Sequence, residues 1–369
     1  MNTESKYNIY AEDYNDGYYH IGADVEAHPE CSIFIVWSRR GPGKTYGGLR
    51  YPYRKGFPIA YLKRTVEDVN TICEYDGELD YDPSPWVPLN RDFNTNVRPQ
   101  LIKKGLGVFY NADKDGHAVG KPITYIMALS KVKAIKGMDF SDVEWMMLDE
   151  FIPQAGEIVR HAEGEMMLDL YMTLNRDRQK RGRPPLKLIL FANAEEISTP
   201  ITNELEIVDL MAEMAAKDES VHIDKERGIF LRHINERDFP ITEEEKAGMF
   251  KAMKGTAWHD KTYGGIFSKN DFSNVCDMSL KRMRCMYHLH YRRNHDIYIY
   301  LHPGTGMYYV TDSKGQYIKS YNLDKENDQK RYWLEIGIDL RAYCIDNRMR
   351  FKKYSYYDLI VNFKKFYDT

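Results

Sequence analysis

The sequence predicts an α/β protein with a mostly parallel sheet, followed by a smaller α+β module. Three observations support this. Over the first 240 residues, fully apolar strand-length runs alternate with segments of helical period. A glycine loop, Ser38-Arg39-Arg40-Gly41-Pro42-Gly43-Lys44-Thr45, directly follows the apolar run 32–37. Near Pro240 the pattern changes, and residues 283–310 read as three short strands joined by turns.

Each element can be justified in turn. Residues 1–30 are rich in Tyr, Asp and Glu and show no period. The run 32–37 is the first strand, and Lys44 and Thr45 open the helix that follows the loop. Residues 58–64 form a second buried strand ending on Lys63 and Arg64. Residues 74–100 carry Pro83, Pro85, Pro88 and Pro99, which predicts mostly loop. The runs 107–110 and 122–129 are strands flanking a polar hairpin that holds Lys114 and Lys121. Residues 143–151 form an apolar strand ending on Asp149 and Glu150. Met167, Leu170, Tyr171 and Leu174 mark one helix face, which leads into the cationic stretch 175–181. The run 186–192 is another buried strand, closed by Asn193. Thr242-Glu243-Glu244-Glu245 starts a short charged helix. The C-terminal module adds a helix over 328–345, a strand at 349–352 and a helix at 356–367.

The glycine loop carries chemistry. Gly41 and Gly43 allow backbone N–H groups to curl round phosphate oxygens. Lys44 brings a point charge to the β- and γ-phosphates, and Thr45 offers a hydroxyl to Mg²⁺. The helix N-terminus adds partial positive charge. A full phosphate-binding loop has glycine where Ser38 stands. Ser38, Arg39, Arg40, Gly41, Pro42, Gly43, Lys44, Thr45 and Tyr46 are therefore the candidate ATP-binding residues, with Asn193 as a polar sensor. The apolar strand ending in Asp149-Glu150, about 105 residues later, supplies what hydrolysis needs. Asp149 holds Mg²⁺ through water, and Glu150 accepts a proton from the attacking water. Arg176 and Arg178 are candidates for an arginine finger offered to a neighbouring subunit, as is Lys136. The plainer reading of these cations is a solvated helix end.

Bulk numbers narrow the class. With 369 residues, the chain is long for one core. No run of 18 uncharged apolar residues exists, and Met-Asn-Thr-Glu-Ser-Lys at residues 1–6 offers no apolar signal core, so neither a membrane span nor secretion is expected. Its five cysteines show no Cys-x-x-Cys pairing, which suits a reduced cytosolic protein without structural zinc. The net charge of −3 hides an asymmetry. Residues 281–369 hold 17 Lys/Arg against 10 Asp/Glu, and the first 280 residues hold 35 against 45. A basic C-terminal part fits a polyanionic partner.

In order and spacing these segments resemble a viral DNA-packaging ATPase, the terminase-like encapsidation protein of small short-tailed phages of the phi-twenty-nine-like group. The resemblance rests on Arg40-Gly41-x-Gly43-Lys44-Thr45-Tyr46, Tyr61-Leu62-Lys63-Arg64, Leu148-Asp149-Glu150-Phe151-Ile152, Arg176-x-Arg178, Asn193-Ala194, Tyr308-Tyr309-Val310-Thr311-Asp312 and the ending from Arg350-Phe351. It implies a strand-inserted (ASCE, RecA-like) P-loop ATPase domain over 1–240, a linker over 241–275, and a vestigial RNase H-like, nucleic-acid-binding domain over 276–369. It further implies a homopentameric ring on the portal of a procapsid in the host cytoplasm, absent from the mature virion. That ring would pump double-stranded DNA using ATP and Mg²⁺, with Lys44, Glu150 and Arg176 catalytic. A structural RNA is a further candidate partner. The first strand of the last module, 285–291, has no Asp or Glu, so DNA cutting is not expected. A second reading is another P-loop DNA motor, such as a helicase or helicase loader, which shares Lys44, Asp149 and Glu150.

Overall fold

The computed structural model describes the chain apart from residues 1–16, 75–82, 132–137, 155–156, 158, 243–245, 257–258, 260–266, 268–269, 271 and 368–369. It divides into two compact units. One comprises residues 1–204 and 214–268, and the other residues 205–213 and 269–369. No helix among the described residues is long and apolar enough to cross a membrane.

The first unit is built on a nine-stranded sheet in the order β3-β4-β5-β2-β6-β7-β1-β9-β8. Its strands are β1 (Ile33–Ser38), β2 (Ile59–Lys63), β3 (Val97–Lys103), β4 (Leu106–Ala112), β5 (Ala118–Ala128), β6 (Trp145–Leu148), β7 (Lys187–Asn193), β8 (Val221–Asp224) and β9 (Ile229–Ile234). The strands from β5 through β9 in that order run parallel. The pairs β3–β4, β4–β5 and β8–β9 are antiparallel. Strands of a parallel sheet are covered on both faces, which is why β1, β6 and β7 read as unbroken apolar runs. Phe34, Val36, Met147, Ile189, Phe191 and Phe230 form the centre of this core. β7 lies between β1 and β6, so the strand that feeds the glycine loop and the strand that feeds Asp149 are not neighbours.

The helix Lys44–Lys55 is held tightly between two surfaces. A Cβ on Gly47 would fall 2.3 Å from the Tyr19 carbonyl oxygen. One on Gly48 would fall 2.6 Å from both Met147 Sδ and Phe191 Cε2. Only glycine allows this helix to lie so close to the sheet on one side and to the segment around Tyr19 on the other.

Of the stretch 74–100 predicted as mostly loop, residues 75–82 lie outside the described residues, and residues 83–100 are more regular than their prolines suggest. They contain the helix Val87–Phe93 and most of β3. Pro88 sits in the first turn of that helix, where a missing N–H costs nothing. Pro99 sits in β3, the edge strand, where a ladder donor can be lost.

The second unit holds a five-stranded sheet in the order β13-β10-β11-β12-β14. β10 (Arg284–Tyr291), β11 (His295–His302) and β12 (Met307–Thr311) form the expected antiparallel meander. β13 (Lys319–Asn322) runs parallel to β10. β14 (Met349–Phe351) pairs parallel with β12, on the opposite edge. One face packs Leu289, Ile297, Ile299 and Val310 against Tyr332, Leu340, Leu359 and Ile360 of the following helices. Residues 205–213, within the ATPase region of the sequence reading, join this unit through side-chain bonds. Ser355 donates its N–H and hydroxyl to the Asp209 carboxylate at 2.8 and 2.7 Å, and the His295 ring lies 2.7 Å from Glu206.

Candidate nucleotide-hydrolysis site

The site forms at the carboxyl ends of the parallel strands, where β1, β6 and β7 release their polar residues. This is where open α/β sheets place their ligands. Gly41 and Gly43 adopt φ +102° and +85°, so the loop needs glycine at both positions. Gly43 caps the helix that begins at Lys44. The register places Ser38 directly beside Asn193 across β1 and β7.

Lys44 is buried and held by three acceptors. Its ammonium donates to Ser38 Oγ at 2.5 Å and, at 3.3 Å each, to the Arg39 carbonyl and Asn193 Oδ1. Burial pushes its pKa down to about 8, against the opposing pull of Asp149 and Glu150. Ser38 therefore has a direct part in the loop: its hydroxyl anchors the lysine.

Thr45 donates its hydroxyl to Asp149 Oδ2 at 2.8 Å. This joins residues 104 positions apart in the chain. Tyr61, from β2, donates to the same oxygen at 3.1 Å, and Lys63 Nζ lies 3.9 Å away. Burial, followed by the Asp149 charge, raises the Tyr61 pKa well above its ordinary value, so the phenol keeps its proton. The sequence reading named Tyr61 only within the segment 61–64 and gave it no role in the site. The signal was present in residues 59–64, whose strand pairs directly with β6.

Glu150 holds φ +56°, the left-handed region that non-glycine residues rarely occupy. The turn that follows β6 thereby aims successive carboxylates into one site. Gln154 Nε2 donates to Glu150 Oε1 at 3.0 Å, and Arg40 donates to Gln154 Oε1 at 2.6 Å. Arg40 and Glu150 are thus linked through a residue the sequence reading did not single out. Arg64 supports the same turn from beneath, donating to the carbonyls of Glu150 and Phe151 at 3.2 and 3.0 Å.

The remaining candidates divide clearly. Arg39 is buried and donates to the Arg40 carbonyl at 3.0 Å. Pro42 accepts from the Tyr19 amide at 2.7 Å. Tyr46 bonds Asp92 at 3.1 Å and packs against Tyr18 and Phe93, which ties it to the core. The Arg176 side chain is 81% exposed. Arg178 is only 2% exposed, and its guanidinium is fully engaged. It donates to the carbonyls of Val143 at 2.5 Å and Pro184 at 2.9 Å, and pairs with Glu144. That geometry makes Arg178 a brace within its own fold and removes it as a residue that reaches a neighbour. Lys136 lies outside the described residues. Lys114 and Lys121 are exposed on the β4–β5 hairpin. In the second unit, β10 presents His288 and His290. Both lie within 3 Å of Asp296 Oδ1 on β11.

A parallel sheet with a strand inserted between the glycine-loop strand and the Asp-Glu strand defines an α/β P-loop fold of the ATPase type. No family model matches the sequence, and no curated protein matches it. Solved structures do. The bacteriophage Phi-29 viral genome packaging motor assembly matches over 95% of this chain and 99% of its own, with a TM-score of 0.61 and 16% identity. The Phi-28 DNA packaging motor matches over 95% and 98%, with the same score and identity. The chain thus has the fold of the Phi-29-like packaging motors over nearly its whole length, both units included.

Proposed function

We propose that this chain is an ATP hydrolase that drives double-stranded DNA through a portal into a phage procapsid. The observation that carries the reading is the Thr45–Asp149 contact at 2.8 Å beside a buried Lys44, in a fold shared end to end with packaging motors. The residues fit ATP with a divalent cation. Gly41, Gly43 and Lys44 suit the phosphates. The hydroxyl of Thr45 and the carboxylate of Asp149 form the hard-oxygen donor pair that Mg²⁺ prefers. When bound, the ion would neutralise developing phosphate charge. Asn193 and Ser38 position the Lys44 ammonium. Glu150 accepts the proton of the attacking water, and Gln154 sets the direction of its carboxylate. Arg176, exposed, would complete the site of an adjacent subunit in a homo-oligomeric ring, a pentamer by the family resemblance. Lys114 and Lys121 are candidate phosphate contacts on DNA, and such contacts grip any sequence. DNA would be moved and not cut. The work would be done in the host cytoplasm, on the procapsid, with a structural RNA as a candidate anchor.

The test is Glu150→Gln. Turnover should fall by about 10²–10⁴-fold while ATP still binds. Unchanged turnover would remove Glu150 from the role. Wild-type protein supplied with procapsids and portal should protect DNA from nuclease only when ATP is present. Strand separation with no need of a capsid would instead assign the chain to the helicases.

A further inference from the structure

Beside the nucleotide site lies a cleft of about 470 Å³ that uses none of the glycine-loop residues. It opens at the carboxyl ends of β2 and β5 and is lined by Arg64, Lys104, Lys131 and Arg160, with Glu67 and Glu163. Cations outnumber carboxylates four to two. Lys104, Lys131 and Arg160 are exposed, and their side chains make no hydrogen bond or ion pair among the described residues. Arg64 forms the floor, donating to Glu163 at 2.7 Å and Glu157 at 2.5 Å.

The helix Val66–Cys73 begins at this cleft, with Thr65 as its cap. Thr65 Oγ1 accepts from the Asp68 amide, the third in the helix. The amides of Val66 and Glu67 have no partner within the helix and point toward its N-terminal end. The cleft therefore places a lining rich in cations beside a helix N-terminus, two elements that each favour an anion. Glu163 is already paired with Arg64 at 2.7 Å. It is 4% exposed, one carboxylate oxygen is held by Arg64, and the other has no hydrogen-bond partner. Burial raises its pKa, so it takes up a proton more readily than an ordinary glutamate.

We propose that this cleft is a phosphate-binding site, separate from the glycine loop, formed by Lys104, Lys131, Arg160 and the N-terminus of the Val66–Cys73 helix. Two sources carry that group: the backbone of a nucleic acid and free inorganic phosphate. The proposed motor function bears only on which source applies, and the site itself stands on the cleft.

The experiment uses the full chain without nucleotide and a K104A/K131A/R160A variant checked for folding by circular dichroism. A 30-base-pair mixed-sequence duplex is titrated by fluorescence anisotropy across a salt series. Inorganic phosphate is titrated separately by calorimetry. If the cleft takes backbone phosphate, the variant binds the duplex at least about tenfold more weakly at low salt, and its log–log salt slope is shallower by roughly two to three. Unchanged duplex binding with lost phosphate heat assigns the cleft to free phosphate. Unchanged duplex binding and unchanged phosphate heat overturn the proposal. If the triple variant misfolds, K131Q alone should still flatten the slope by about one or reduce the phosphate heat, and no change in either overturns the proposal. ATP hydrolysis is read in parallel on wild-type protein. A chain that does not hydrolyse ATP but binds phosphate through these residues would break the motor reading and keep the cleft.

Discussion

The two ends of the nine-stranded sheet bury cations for opposite purposes. At the amino ends, Arg178 bonds the carbonyls of Val143 and Pro184 and pairs with Glu144, which also pairs with Arg183. Lys187 bonds the carbonyls of Pro29 and Cys31 at 3.0 and 2.6 Å. These cations hold loops to the sheet. At the carboxyl ends, Lys44 rests on neutral oxygens, two of them at 3.3 Å, with its pKa pushed down to about 8. A cation saturated by short bonds is architecture. Lys44, with one short bond to a hydroxyl, two long ones and no carboxylate partner, is ready for an anion.

The largest test of this contrast is Arg176, the exposed cation two residues from Arg178. In the proposed ring it meets the carboxyl-end site of the next subunit. Arg176→Ala should lower turnover by roughly 10³–10⁵-fold, with stability changed by less than about 0.5 kcal/mol. Mixing it with Lys44→Ala protein should restore part of the activity, measured as phosphate release. No rescue at any ratio would place Arg176 in its own subunit's site or outside catalysis.

Arg178→Ala should behave in the reverse sense. Removing one partner of a buried ion pair leaves its acceptors stranded, which should cost on the order of 3 kcal/mol in denaturant unfolding. Specific activity of the folded fraction should be retained. A stable but inactive variant would contradict the architectural assignment.

The smallest effect is a pH dependence at Lys44. Its folded pKa of about 8 lies below the ordinary lysine value of 10.5. Between these values the unfolded chain binds the extra proton, so this group makes stability rise with pH across that window. ATP binding requires the ammonium and runs the other way. Affinity should fall above about pH 8 by at most about tenfold per unit, and Lys44→Arg should flatten the profile. A flat profile in the wild-type chain would mean that Lys44 keeps its charge in the free site.

Much of this architecture was legible in the residues. Buried parallel strands tend to announce themselves as apolar runs, so β1, β2, β6 and β7 were found with the residues that follow them, while β9, whose run is broken by Arg232 and His233, was not. Edge strands do not. β13, reading Lys-Ser-Tyr-Asn, buries only Tyr321 fully and carries no pattern. The prolines at 88 and 99 hid a helix and a strand because both stand where proline is tolerated. Within the site, Lys44, Thr45, Asp149 and Asn193 could be read because spacing and strand ends locate them. The bond of Tyr61 to Asp149 and the hydroxyl role of Ser38 could not, since each depends on which strands are neighbours, and Gln154 could not, since its place depends on the turn after β6. The exposure that separates Arg176 from Arg178 is likewise tertiary: both stand in one cationic run.

The glycine pair at 47 and 48 has a mechanical consequence. A helix fixed on both flanks can neither roll nor slide alone. A displacement begun at Lys44 would pass to Met147 and Phe191 as the movement of one stiff lever, with little lost in soft side chains. Adding a single methyl at either position would insert a spacer into that lever and detune it, even if the phosphate loop itself kept its shape.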